Sequence, residues 1–305
     1  MWNLSSNESF SKHLIESLLH DKFDNIDSTA FFGSNPLYIE GKEKYNNESH
    51  YIKQIRELLI KDTSFKQFLL NKGINIKNPL PKSEDQKDSI FRKIKPVVYF
   101  RNYFIDKNSG NSKPSLKTKH KAINLYNGIE LLSKICEGNP RWIIVLTNSI
   151  LLKSDQIYAK DNVQYDEIMK ISNRFINSIE NIPLKLKSSE LSMSVFIDKV
   201  GAYFKDQLLG SKFNIEPDST FIYDDKNITS EDYKNIIEKG LFQGAFILVE
   251  NQNENFDFEI NNKRIKLSYM YYPKYRLPIR KSDAVSLSTI LGENFSANTL
   301  FDQEL

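Results

Sequence analysis

A short stretch near the middle of the chain, Glu137-Gly138-Asn139-Pro140-Arg141-Trp142, combines residue types that can bind an anion. A helical pattern stops at the glycine, and an apolar run after the tryptophan predicts a second helix. Proline suits the first position of a helix and asparagine the position before it, so we expect Arg141 at a helix N-terminus. The oriented amides there favour an anion beside Asn139 and Arg141. The simpler alternative is a helix joint whose arginine pairs with a surface carboxylate.

A second group of candidate residues lies between Lys263 and Lys281, where basic residues occur without acidic ones and alternate with tyrosines. This combination suits phosphate contact with base stacking, and it equally suits a basic edge that docks on an acidic protein surface. The candidates for binding nucleic acid or a partner are Lys263, Arg264, Lys266, Lys274, Tyr275, Arg276, Arg280 and Lys281.

Two other charged segments give weaker indications. The basic loop from Lys107 to Lys121 is either solvated, which we favour, or in contact with phosphate. The helix predicted over residues 230–241 carries three acidic residues beside its lysines, which makes it a poor reader of a DNA groove by charge. Backbone contact through the neighbouring loop and the basic segment is the better prediction.

Several kinds of chemistry are absent from the sequence. It contains no G-x-x-x-x-G-K-[ST], G-x-S-x-G or H-E-x-x-H motif, and its four histidines are scattered. Cys136 is the single cysteine, so neither an intrachain disulfide nor a cysteine-based zinc site can form. We therefore assign no catalytic residue and no metal ligand, and we do not expect the chain to catalyse a reaction by itself.

The composition, with 40% hydrophobic and 27% charged residues, is that of a soluble globular protein. No apolar run reaches the about 18 residues of a transmembrane helix, and the first residues lack the regions of a signal peptide. We expect a cytoplasmic protein without a membrane partner. The net charge of +3 is too small to indicate nucleic acid by itself.

The periodicity predicts a mainly α protein with a small α+β part. Residues 1–85 form a helical region, residues 86–185 a helical domain kinked at Pro96, and residues 296–305 a tail. In residues 186–295 two helices are followed by a strand, a polar loop over 250–262 and another strand, which is the order of a winged-helix domain. The helices are predicted over 5–18, 48–60, 62–71, 86–104, 125–135, 142–152, 165–179, 193–209 and 230–241, and the strands over 219–223, 245–249 and 264–270.

Three segments together carry a family resemblance: Tyr126-Asn127-Gly128, the Glu137 to Trp142 stretch, and Leu267 to Pro278 with Val285-Ser286-Leu287-Ser288. Over residues 86–292 the sequence resembles the C-terminal half of prokaryotic AAA+ ATPases related to the origin-recognition replication initiators. The resemblance implies a helical lid followed by a winged-helix domain. It also implies that Arg141 is the sensor-2 arginine, which reaches the γ-phosphate of a nucleotide, with Asn139 beside it. DNA is the implied partner, and the oligomeric state is left open.

The sequence departs from that family because the phosphate-binding loop and the acidic Mg²⁺-binding strand are missing. ATP and Mg²⁺ are therefore expected only if an ATPase core is supplied elsewhere, in the same full-length protein or in a separate subunit. The chain is then a fragment, a split subunit or a degenerate relative. The alternative is a free-standing winged-helix regulator that binds DNA or protein without nucleotide chemistry. By family analogy alone, a role in mobile elements or phage defence is open.

Overall fold

The computed structural model describes residues 4–23, 26–35, 37–38, 45–110, 113–117, 125–154, 157–224, 228, 230–249, 260–280 and 282–292. Within these ranges the chain is mainly helical with two small sheets, which confirms the predicted fold class. No described helix combines the length and the apolarity needed to cross a bilayer.

The chain forms two compact units. The first comprises residues 1–171 and 207–216, and the second comprises residues 172–206 and 217–305. The division predicted from the sequence, at residues 85, 185 and 295, stays a prediction. The predicted tail over residues 296–305 lies outside the described residues.

The first unit is built of helices and one small antiparallel sheet. Amphipathic segments form these helices because burying one apolar face compensates for the entropy lost on ordering the backbone. Its elements are α1 (Leu4–Lys22), α2 (Ser28–Phe32), α3 (His50–Lys61), α4 (Thr63–Asn71), α5 (Glu84–Gln86), α6 (Arg92–Phe104), β1 (Ile105–Lys107), β2 (Ser115–Leu116), α7 (Ile129–Ile135) and α8 (Pro140–Lys153). The next two helices, α9 (Asp161–Glu180) and α10 (Met193–Leu209), each contain residues of both units.

The helix predicted over residues 86–104 contains a wide turn near its start, and the kink predicted at Pro96 stays a prediction. A π-helical turn over Lys87–Phe91 leads into α6, and α6 continues past Pro96 to its last residue. Proline has no N–H to donate, and in an α-helix the carbonyl that loses this donor is that of Arg92. The hydroxyl of Tyr51 donates to the Phe91 carbonyl at 2.6 Å inside the core. Tyr51 therefore satisfies a carbonyl at the junction of the two helical forms.

The second unit carries a four-stranded sheet with the order β4-β5-β3-β6. In this sheet β5 pairs antiparallel with both β3 and β4, and β6 pairs parallel with β3. The sequence did not predict β6. Beyond α10, the elements are β3 (Thr220–Ile222), α11 (Glu231–Gln243), β4 (Phe246–Leu248), β5 (Arg264–Leu267), a 3₁₀ turn (Tyr269–Tyr271), α12 (Tyr272–Tyr275), β6 (Ala284–Ser286) and α13 (Leu287–Gly292).

The strand predicted over residues 264–270 is wrong beyond Leu267. The Ser268 side chain accepts the N–H of Met270 and starts a 3₁₀ turn there. Pro273 then lies in the first turn of α12, where a proline is favoured, and Arg276 ends this helix with a φ of 59°. Local capping interactions therefore fold this segment into a 3₁₀ turn and a short helix, although its residue types favour a strand.

The core of the second unit brings α11 close to β4. Phe196 packs edge-to-face against Phe221 and Phe246, with ring centroids 6.2 and 5.7 Å apart. Gly240 lies so near Phe246 that a Cβ there would be 2.3 Å from the ring. A larger residue at position 240 would force the helix or the Phe246 ring to shift, so this glycine lets the C-terminal part of α11 lie directly over β4.

Candidate functional site

The turn that precedes Arg141 has a constrained backbone. Two successive residues between α7 and α8 adopt positive φ angles, 51° for Glu137 and 77° for Gly138. The Asn139 N–H donates to the Cys136 carbonyl at 2.9 Å and closes the turn. This left-handed geometry ends the first helix and sets the direction in which the second one begins.

Helix α1 supports this turn from one side. A Cβ at Gly138 would lie 3.0 Å from the Asn7 Cγ, so the two residues are in direct contact. One turn away, Lys134 pairs with Glu8 at 3.4 Å. The first residues of the chain, for which the sequence gave no role, therefore hold the helix joint in place.

The start of α8 is capped as the sequence predicts. The Asn139 Oδ1 accepts the N–H groups of Arg141 and Trp142 at 3.1 and 3.5 Å, and Pro140 occupies the first turn. The Ile143 N–H donates to the Asn139 carbonyl at 3.0 Å. The amides of the first turn therefore already have acceptors. What α8 offers an anion is the positive end of its dipole and the guanidinium of Arg141.

The Arg141 side chain is exposed to solvent. Its Cζ lies 6.0 Å from the centroid of the Trp142 ring, at the outer limit of a cation–π contact. No carboxylate of the described residues forms an ion pair with it. The described part of the chain therefore gives Arg141 no carboxylate partner of the kind that the simpler interpretation predicts.

The residues around Arg141 do not fit a complete site for ATP and Mg²⁺. The chain has no phosphate-binding loop, and the helix amides beside the arginine are occupied by Asn139. Within the described ranges, no group of three or more histidine, cysteine, aspartate or glutamate side chains could hold a metal ion. Any triphosphate near Arg141 would have to be held mainly by groups other than these.

The motif Tyr126-Asn127-Gly128 belongs to a polar network. The buried Asn35 side chain donates to the Asn127 carbonyl and side chain, and its N–H donates to Glu130 at 3.0 Å. The Gly128 N–H donates to the buried Gln164 side chain at 2.9 Å. Gly128 has a φ of 86°, so the helix predicted from residue 125 begins only after it, at residue 129. The motif fixes the loop after α2.

The basic segment after residue 263 is less available than its sequence suggests. Lys266 is 3% exposed, and its Nζ lies 3.1 Å from the centroid of the Tyr269 ring. Lys274 pairs with Asp198 at 2.9 Å and with Glu180 at 3.7 Å. These two lysines contribute to packing and to ion pairs inside the second unit.

The aromatic part of this segment is also inside the protein. Tyr275 is completely buried, and its hydroxyl donates to Asp198. Burial and the nearby Asp198 carboxylate raise the pKa of Tyr275 well above its ordinary value. The ring of Tyr275 therefore has no free face on which a base could stack.

The remaining basic candidates differ in exposure. Arg264, at the first position of β5, is exposed, and Lys263 is partly exposed. Arg276 and Arg280 are both partly buried, and Lys281 lies outside the described residues. Most of the predicted loop over residues 250–262 also lies outside them. Among the described basic candidates, Arg264 is therefore the one that is fully exposed.

A buried ion pair in the first unit was not predicted. The Arg101 Nε donates to the Asp62 Oδ2 at 2.7 Å, and both side chains are completely buried. Asp62 also caps α4 and accepts from Asn108 at 2.9 Å, and Arg101 donates to the carbonyls of Leu208 and Gly210. Because Arg101 and Asp62 are 39 positions apart in the chain, sequence spacing gave no sign of the ion pair.

One lysine pair lies at the basic loop between Lys107 and Lys121. Lys61 and Lys117 both donate to the Asn102 carbonyl. Burial and the neighbouring Lys117 lower the pKa of Lys61 to about 8. Lys107 and Lys113 are exposed, while residues 118–121 lie outside the described ranges. The described contacts give this loop a structural role at Asn102, and phosphate contact by it stays a prediction.

Comparison with known proteins gives one match. The model of the ORC-CDC6-like family matches residues 1–287, while no curated protein and no solved structure matches the chain. The match extends the resemblance, predicted over residues 86–292, to the helices that support the joint before Arg141. The assignment to a C-terminal half stays a prediction. The chain belongs to the ORC-CDC6-like family and is related to the origin-recognition AAA+ ATPases.

Proposed function

We propose that this origin-recognition-related AAA+ protein contributes Arg141 to an ATP site that another segment or another chain completes. The second unit, in the same proposal, binds DNA or a protein partner as a winged-helix domain. The observation that carries the proposal is the exposed guanidinium of Arg141 at a braced and capped helix start. The family relation supports the same assignment, because it connects the chain to ATPases.

The geometry around Arg141 suits recognition of a phosphate. An arginine can donate two parallel hydrogen bonds to a phosphate, and such charge-assisted bonds are about twice as strong as neutral ones. Asn139 and Gly138 fix the helix start, so the position of the Arg141 backbone is set before any anion arrives. Since Asn139 occupies the first amides, binding depends mainly on the Arg141 side chain.

Trp142 provides a direct readout of anion binding. The sequence contains two tryptophans, so a Trp2→Phe variant leaves Trp142 as the single reporter beside Arg141. Tripolyphosphate, which absorbs little light at the excitation wavelength of tryptophan, serves as the probe. We expect a saturable change in Trp142 emission with a Kd of about 1 mM or weaker, since one arginine supplies only a few kcal/mol.

The matched control uses another exposed arginine. Arg141→Ala in the single-tryptophan background should abolish the saturable change, while Arg174→Ala should leave it intact. An equal response in the Arg141→Ala variant, or no saturable response in the parent, would overturn the assignment of Arg141 as a phosphate contact.

The winged-helix assignment is supported by the order of elements in the second unit. There α10, β3, α11, β4 and β5 follow one another, and β3, β5 and β4 form an antiparallel sheet. In this order of elements, the connection between β4 and β5 is the segment that would form the wing. The additional strand β6 beside β3 is a departure from the simplest three-stranded form.

Arg264 is the best candidate for contact with DNA because it is exposed and follows the proposed wing. If it contacts a phosphate, Arg264→Gln should weaken duplex binding similarly for all sequences and reduce the salt slope by about 1. Lys266→Gln, two residues along the same strand, is the control because Lys266 is buried. Fluorescence anisotropy at several salt concentrations measures both quantities, with thermal unfolding as the test of folding.

A regulator that binds only protein is the second candidate function. It is favoured by the burial of Lys266 and Tyr275 and by the ion pairs of Lys274, which leave a smaller basic surface than the sequence suggests. It predicts no salt-dependent duplex binding, and Arg264→Gln then has no DNA phenotype. The anisotropy titration therefore separates the two candidates.

A further inference from the structure

Strand β4 forms one edge of the four-stranded sheet that the structure describes, and its own sequence carries none of the features that protect an edge. The five residues from Ala245 to Val249 are all apolar, with no charge and no proline. The pairing of β4 with β5 is regular, without a bulge. Natural proteins usually protect an exposed edge with one of these devices, because an open edge pairs readily with another strand.

The hydrogen-bond pattern shows which groups face outward. The Val249 N–H donates to the Arg264 carbonyl at 2.8 Å, and the Ala245 carbonyl accepts from Ser268 at 2.9 Å. Because antiparallel pairs alternate, the N–H and C=O groups of Phe246 and Leu248 point away from β5. No described residue forms a backbone hydrogen bond with these four groups across the open edge.

An apolar surface accompanies this edge. Ile247, Leu248 and Val249 are partly exposed, and Phe242 in the last turn of α11 is 82% exposed. The approach of Gly240 to Phe246 places that part of α11 over β4. An exposed aromatic residue beside an open apolar edge is typical of an interaction surface.

The opposite edge of the sheet is more polar than β4, because its strand contains Ser286 and directly follows two polar residues. It is formed by β6, next to Ser282 and the exposed Asp283. Ser282 bonds to the Ser219 hydroxyl at 2.6 Å, and Ser286 bonds to Ser288 at 2.7 Å. Of the two edges, β4 is therefore the one that is apolar throughout.

We propose that two copies of this chain pair antiparallel through the free edge of β4, around a two-fold axis at Ile247. In this arrangement Phe246 of each copy exchanges two hydrogen bonds with Leu248 of the other, and the two sheets become continuous. The outward N–H and C=O groups of Phe246 and Leu248 all form hydrogen bonds in this arrangement, and the hydrogen bonds between β4 and β5 are kept. The edge is therefore complementary to itself.

The charges near the edge favour a second copy over a strongly charged partner. The exposed side of α11 carries both signs, with Lys234 3.9 Å from Glu238 and with Lys239 beside Phe242. A two-fold axis perpendicular to the sheet keeps both copies of α11 on one face, so their mixed charges adjoin each other. The contact is small compared with the about 1,200 Å² of a stable interface, and we expect a Kd in about the micromolar range or weaker.

Sedimentation equilibrium of the full chain tests the proposal. The mass should rise with concentration from 35.6 kDa towards twice that value. Leu248→Pro removes an outward N–H without breaking a bond to β5, and Phe242→Ser removes the exposed ring. We expect each variant to raise the Kd at least tenfold. Leu152→Ser, which changes a residue that is 78% exposed in the first unit, should leave the Kd unchanged.

Thermal unfolding shows whether each variant is folded, and Leu248→Lys replaces Leu248→Pro if the proline variant is not. Hydrogen exchange adds a local readout, because the Phe246 and Leu248 amides should exchange more slowly as concentration rises. A monomer at every concentration would overturn the proposal, as would equal weakening by Leu152→Ser. Protection of both amides at all concentrations would overturn it as well, since another part of the same chain then covers the edge.

Discussion

Asn7 and Gly138 are in direct contact, although 131 positions separate them in the chain. A Cβ at position 138 would lie 3.0 Å from the Asn7 Cγ and 3.1 Å from its Cβ. The contact joins α1 to the turn before α8. This turn sets the direction of α8 and therefore the position of Arg141. Any change that separates Asn7 from Gly138 should therefore affect both the stability of the first unit and the position of the arginine.

Gly138→Ala should destabilise the protein for two reasons. Alanine at a φ of 77° is strained by about 1–2 kcal/mol, and its methyl group meets Asn7. Gly73→Ala is the matched control, because Gly73 has a φ of 68° and nothing within 4 Å of the added Cβ. Urea denaturation should show a larger loss for Gly138→Ala than for Gly73→Ala. Equal losses would mean that the contact with Asn7 contributes nothing.

Asn139→Ala should remove the cap of α8. The loss of an asparagine cap costs about 1 kcal/mol, since the N–H groups of Arg141 and Trp142 lose their acceptor. Asn148→Ala, at an exposed position within the same helix, is the control, and we expect it to be neutral or slightly stabilising. Thermal unfolding monitored by circular dichroism measures both variants. A cost for Asn148→Ala as large as that for Asn139→Ala would contradict the capping role.

The sequence predicted those features that depend on neighbouring residues. Asn139 and Pro140 predict the start of α8. The apolar runs at 219–223 and 245–249 contain β3 and β4. Strand β6 was missed because Ala284 to Ser286 is too short to show a period, and it forms only by pairing with β3. Local patterns therefore gave most of the helices and three of the four strands of the larger sheet, but not its full topology.

Exposure and long-range polar contacts could not be read from the sequence. Lys266 and Tyr275 have the residue types of a nucleic-acid surface, yet packing against Tyr269 and the bond to Asp198 put both inside. Asn35 and Gln164 looked like ordinary polar residues, yet they hold the loop beside Gly128. Such roles depend on which segments meet in three dimensions, and one sequence does not contain that information.

Breaking the buried pair of Arg101 and Asp62 should be costly. Arg101→Met leaves a buried carboxylate without its partner, and we expect a loss of about 3–5 kcal/mol. Asp62→Asn keeps an acceptor for the cap of α4 but leaves the buried Arg101 without a carboxylate. The double variant leaves neither charge of the pair buried alone, so it should lose less stability than the sum of the two single losses. Urea denaturation of all three variants gives the coupling energy.

Lys93→Met is the comparison for this pair. It breaks a partly exposed pair with Glu216 at 3.0 Å, and its cost should stay within about 1 kcal/mol. If Arg101→Met costs no more than Lys93→Met, then the buried pair is not a main support of the first unit.

The lysine pair at Asn102 predicts a specific dependence of stability on pH. The pKa of Lys61 is about 8 in the folded protein, compared with an ordinary value of 10.5. Between these values the unfolded chain binds more protons at Lys61 than the folded chain does, so this residue makes stability rise with pH. Below about pH 8 both states hold the proton, and the folded state carries the full penalty of a half-buried charge beside Lys117.

Lys61→Met removes that titration while keeping an apolar side chain. From pH 8 to 10.5 the parent should therefore gain stability relative to Lys61→Met, as measured by urea denaturation at each pH. Lys53→Met, an exposed lysine on the same helix, controls for the loss of one positive charge and should show no such relative change. Lys117→Gln should shrink the effect, because it removes the second-largest cause of the lowered pKa. A constant difference between the parent and Lys61→Met across this window would show that Lys61 titrates alike in both states.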